Sequence, residues 1–63
     1  MKLYELINVL ALGQFITIID RKTGEILANY HIELHTQTDE FDQKFIDYVF
    51  VDNNTITVAI ANE

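Results

Sequence analysis

The run from Phe45 to Ala61, FIDYVFVDNNTITVAIA, permits few folds, because it is rich in β-formers on both sides of two consecutive asparagines. Asn tolerates positive φ better than any residue except Gly, so Asn53-Asn54 predicts a two-residue type I′ turn closing a hairpin. The turn sets a register: Asp52 opposite Thr55, Val51 opposite Ile56, Phe50 opposite Thr57, Val49 opposite Val58, Tyr48 opposite Ala59 and Asp47 opposite Ile60. Side chains alternate along a strand. One face therefore shows Phe45, Val49, Val51, Ile56, Val58 and Ile60, and the other Ile46, Tyr48, Phe50, Thr57, Ala59 and Ala61. Both faces are apolar, whereas an antiparallel sheet with one wet face alternates apolar and polar residues. This hairpin needs cover on both sides.

The chain has little to cover it with. Its 63 residues make a single domain, 1–63, near the lower size limit for a self-supporting core. Ordering costs of about 1.5 kcal/mol per residue nearly cancel the burial available at this size, and small scaffolds usually add disulfides, a metal or a second subunit. With no Cys in the sequence, disulfides and thiolate zinc sites are excluded.

Residues 2–12 place Leu3, Leu6, Ile7 and Leu10 on one helical stripe, with Gly13 as the stop. Gln14–Asp20 reads as a strand without a clean polar face. It is followed by the polar turn Arg21-Lys22-Thr23-Gly24, which suits a type I turn with Gly in the left-handed region. This K-T-G is no phosphate loop, since the Gly-rich approach and following helix of a Walker motif are missing. Glu25–His35 alternates best: Ile26, Ala28, Tyr30, Ile32 and Leu34 on a dry face, Leu27, Asn29, His31, Glu33 and His35 on a wetter one. His35–Gln43 is a polar loop carrying the acidic cluster Asp39, Glu40 and Asp42. The predicted fold class is α+β: an N-terminal helix packed on an antiparallel four-stranded sheet, in the order α-β-β-β-β with two hairpins.

Ten acidic against four basic side chains give a net charge of −6 and a pI near 4.5, which disfavours direct nucleic-acid or anionic-membrane binding and favours a basic partner. The acids are too sparse for a surface that imitates DNA, and a solvated acidic face describes them better. An early Glu and the lack of a long apolar run argue against a signal peptide or a membrane span, so the expected location is cytoplasmic.

His31, Glu33 and His35 carry metal-ligating groups at alternate positions of a strand. Neighbours two apart lie about 6.6 Å from one another and His31 and His35 about 13 Å, so an adjacent pair can share an ion but the three cannot converge easily. A site would need a further ligand from Asp39, Asp42 or a second subunit. Ser and Cys are both absent, leaving no usual nucleophile, and the acids sit in a solvated loop; no catalytic residue or cofactor is expected.

The opening MKLYELINV, the strand ending IIDRKTGE and the closing hairpin resemble short uncharacterised proteins encoded by phages and prophages of low-GC Gram-positive bacteria. The resemblance implies an accessory gene product that acts by binding, such as an inhibitor of a host defence or replication protein, and brings no active-site residues with it. One helix shelters one face of a sheet. The patch of Ile46, Tyr48, Phe50, Thr57 and Ala59, rimmed by Asp39, Glu40 and Asp42, is then expected to meet a second subunit in a homodimer or a basic host protein. The alternative is a dimeric binder of a small ligand or divalent metal held between subunits near His31, Glu33 and His35.

Overall fold

The computed structural model describes residues 1–33 and 40–62, apart from the Tyr30 side chain. Helix α1 (Leu3–Ile7) is followed by strands β1 (Phe15–Asp20), β2 (Ile26–His31), β3 (Ile46–Asp52) and β4 (Thr55–Ile60). The strands form one sheet in the order β2-β1-β4-β3. Both expected hairpins are present, but β1 runs parallel to β4 at the centre, so the sheet is mixed and not purely antiparallel. The physical reason lies in the two inner strands, which are apolar on both faces and gain most from neighbours on either side. Ile16, Ile18, Ile19, Val58, Ala59 and Ile60 of this pair are all buried.

The closing hairpin has the expected turn, with Asn53 at φ 51° and Asn54 at φ 61°. Its register agrees from Asp52↔Thr55 to Tyr48↔Ala59, and then slips, so that Ile60 faces Ile46 in place of Asp47. An extra residue in one strand reverses the side of everything beyond it. Ile46 therefore packs against the core and leaves the Tyr48–Phe50 side. A second irregularity, where Ile18 faces Ala28 but Ile19 faces Ile26, likewise turns Ile26 away from the dry face expected for it, and Leu27 packs on the core in its stead.

The β1–β2 loop is built as its sequence suggests. Gly24 takes φ 74° and donates to the Asp20 carbonyl at 2.8 Å, while the Asp20 carboxylate accepts the Lys22 N–H at 2.8 Å.

The helix is shorter than its stripe. Leu3 and Ile7 are buried and Leu6 and Leu10 pack beside them, but past Ile7 the chain tightens, with Val9 N–H donating to Leu6 and Leu10 N–H to Ile7. Such i→i−3 bonds close many helix ends. Gly13, at φ 90°, does not cap the helix: its N–H donates to the Ile32 carbonyl at 2.7 Å, and Ile32 N–H donates to Gln14 at 2.9 Å. The segment after β2 thus claims the backbone that a longer helix would have used. Buried Ile32 and the partly buried Phe41 anchor the β2–β3 connection to the helix side of the sheet.

Candidate functional site

All of the helix and the anchored ends of the connection lie on one side of the sheet, with Leu3, Ile7, Ile16, Ile18, Ile32, Val58 and Ile60 as the core between layers. Directly paired residues share a face, so the opposite face can be read in rows. Ile26, Ile19, Ala59 and Tyr48 form one row, Asn29, Thr17, Thr57 and Phe50 the next, and His31, Phe15, Thr55 and Asp52 the last. Ile19 and Ala59, in the middle of the first row, are buried, so the accessible part of this face is the larger side chains around them. Phe15 and Ile26 remain 57% and 60% exposed, and Tyr48 and Phe50 46% and 45%.

Local packing holds these side chains in place. The Tyr48 and Phe50 rings stack at 6.2 Å with an interplanar angle of 19°, and the Phe15 ring lies 4.8 Å from the His31 imidazole. Between them the small side chains of Thr17, Thr57 and Ala59 make a low floor, and the Thr17 hydroxyl donates to Asn29 Oδ1 at 2.6 Å. Polar groups stand at the ends: Asp52 beside the turn, Arg21 facing Asp47 at 3.9 Å, and His31 Nδ1 facing Glu33 Oε1 at 3.8 Å. An apolar centre within a polar rim is the usual composition of a protein contact surface.

Of the residues expected in the patch, Tyr48, Phe50, Thr57 and Ala59 are together on this face, but Ala59 is fully buried there and offers a partner no surface; Ile46 is not on this face. Phe15 and Ile26 are additional members, and the lack of a polar face on the first strand was the signal for Phe15. Glu40 and Asp42 do not rim the patch. The Asp42 carbonyl accepts the Tyr4 N–H at 3.1 Å, which places the segment from exposed Glu40 to Asp42 beside α1, on the far side of the sheet. Asp39 and His35 lie outside the described residues. His31 and Glu33 are side by side, and no group of three metal-ligating side chains occurs among the described residues.

Comparison of the chain with protein-family models, with curated proteins and with solved structures finds no match. Its class is therefore defined by its own architecture: a small α+β domain whose mixed sheet carries a helix on one side and an aromatic-rich, partly exposed face on the other. No described helix is long and apolar enough to cross a membrane.

Proposed function

We propose that this chain is a non-catalytic binding protein whose working surface is the open sheet face, and that its target is a basic protein. The reading follows from that face, where Phe15, Ile26, Tyr48 and Phe50 are each close to half exposed or more. Exposed apolar patches of this kind mark contact sites. Acid excess supplies the second part, since a net charge of −6 favours encounter with a positively charged surface. The resemblance to phage and prophage proteins suggests the setting, an accessory protein that inhibits a host defence or replication enzyme. The rival reading is a ligand or metal held between subunits near His31, Glu33 and His35, of which His31 and Glu33 face each other at 3.8 Å.

The paired substitution Phe15→Ser and Ile26→Ser tests the proposal, because both side chains sit on the face without belonging to the core. Immobilised wild-type chain should retain basic host proteins at about 0.15 M salt and release them at about 0.5 M, where screening is stronger. The folded double variant should retain them at least about 10-fold less well, as expected when anchoring side chains leave a contact surface. Equal retention by the variant, or retention indifferent to salt, would remove the basis of the proposal.

A further inference from the structure

β3 is the strand that the domain protects least. Tyr48, Val49, Phe50 and Val51 are at least 44% exposed although they point to alternate faces, and the strand has a neighbour on one side only. In a two-residue hairpin the residues flanking the turn form a hydrogen-bonded pair, and such pairs alternate along the ladder. Tyr48, Phe50 and Asp52 therefore direct their backbone N–H and C=O groups toward β4, while Val49 and Val51 direct theirs to the free edge. Proline, lysine or a bulge commonly blunts an edge of this kind. The stretch Tyr48–Asp52 contains none of them.

Part of the edge is already occupied by the chain itself. Ile46 N–H donates to the Met1 carbonyl at 2.9 Å and Leu3 N–H to the Lys44 carbonyl at 3.0 Å, with Lys2 bridged to Phe45. The start of β3 is thereby closed and the free edge begins beyond Ile46.

We propose that a second copy of this chain pairs with that edge, antiparallel, about a two-fold axis that sets Phe50 against Phe50 of the second copy. This deepens the reading of the chain as a binding protein and rests on it. A two-fold axis normal to the sheet keeps equivalent faces together, so the register is centred on one of a few residues. Centred on Val49, the pairing drives Asp52 of the second copy against Ile46, where Met1 already sits. Centred on Val51, it sets Val49 against Asn53 in the turn. Centred on Phe50, it sets Val49 against Val51 of the second copy, so that their outward N–H and C=O groups bond in both directions. Tyr48 then faces Asp52, whose carboxylate can accept its hydroxyl, and Asp47 faces Asn53. No two acids are directly opposed, although like charges across strands are destabilising. The strand thus supplies its own complement: valine to valine on the helix side, ring to ring and hydroxyl to carboxylate on the open face. That self-complementarity is the reason the occupant is a second copy and not a foreign strand.

Single-cysteine variants read the register, because the chain has no Cys of its own. Opposed residues of a non-hydrogen-bonded pair have Cα atoms about 4.5 Å apart, within disulfide range, so Phe50→Cys should form a covalent dimer in a glutathione buffer. The two Tyr48 positions would be about 13 Å apart, and Tyr48→Cys should cross-link at least about 10-fold more slowly, being out of disulfide range. Val51→Pro removes an outward donor and leaves the β3–β4 ladder whole. It should sediment as a folded monomer where the wild type sediments as a dimer, and Val51→Lys should do the same if the proline variant does not fold. A wild type that stays monomeric at about 100 µM, where mass action favours assembly, overturns the proposal. So does a folded Val51→Lys dimer, or equal cross-linking by the two cysteine variants. The Val51 variants leave the open face intact: retention of basic proteins by a monomeric Val51→Lys chain would uphold the binding reading whatever became of the edge, and its loss on Phe15→Ser/Ile26→Ser in a chain that still dimerises would uphold the face alone.

Discussion

Replacing Ile18 with alanine is expected to leave the chain largely without a cooperative unfolding transition at room temperature. Ile18 is fully buried on a central strand, between Ala28 of β2 and Val58 of β4, in the cluster that joins helix to sheet. Truncating a buried Ile to Ala costs about 2–5 kcal/mol, the range depending on how far the site can collapse. Collapse is limited here, because both flanking strands are held by backbone ladders. A core of this size rarely supplies more than about 3–5 kcal/mol in total. The substitution thus removes most of the margin, and urea titration followed by circular dichroism should show a shallow, early transition or none. Val9→Ala is the control: at 75% exposure it should shift the midpoint little. Full retention of the wild-type midpoint by Ile18→Ala would mean that the inter-layer core is placed wrongly.

The turn is the second point of large effect. Asn53 and Asn54 both lie in the left-handed region, which costs most L-residues roughly 1–2 kcal/mol each and Asn less. The Asn54 carbonyl also accepts a hydrogen bond from the Gln14 side-chain amide at 2.9 Å, so the turn helps hold the start of β1 beside β4. Alanine at both positions should destabilise by about 2 kcal/mol and lower the melting temperature by about 8–16 °C for a domain this small. Asn54→Gly, giving the Asn-Gly pair that type I′ turns favour, should raise it. Opposite shifts for the two variants are the signature; similar small shifts for both would indicate a different loop.

The closing hairpin was legible because a two-residue turn leaves no freedom of register near it. Legibility ended at the bulge, which moved Ile46 to the core side, and at the irregularity in β2, which moved Ile26 the other way. Neither insertion has a mark in the sequence such as a Gly within the strand. The parallel contact of β1 with β4 was hidden for another reason: a strand apolar on both faces announces a central position but not the direction of its neighbours. The same absence of a polar face could have placed Phe15 beside Tyr48 and Phe50. The acidic residues were legible as a cluster only. The position of Glu40 and Asp42 beside α1 depends on the backbone bond from Tyr4 to Asp42, which no side-chain pattern encodes. The closure of the β3 edge by Met1 and Lys2 is likewise a backbone matter, and it gives the edge its one open register.

Hydroxyl-radical labelling read by mass spectrometry tests the central claim most directly, because it reports side-chain exposure at concentrations where self-association is negligible. At about 1 µM, well into dilution by mass action, Phe15, Tyr48 and Phe50 should label rapidly while Ile16 and Ile18 stay protected, and the three rings should become protected when the bound partner is present. Rings already shielded to the level of Ile18 in the dilute, folded chain would contradict an open face, and with it the reading of this protein as one that works by contact.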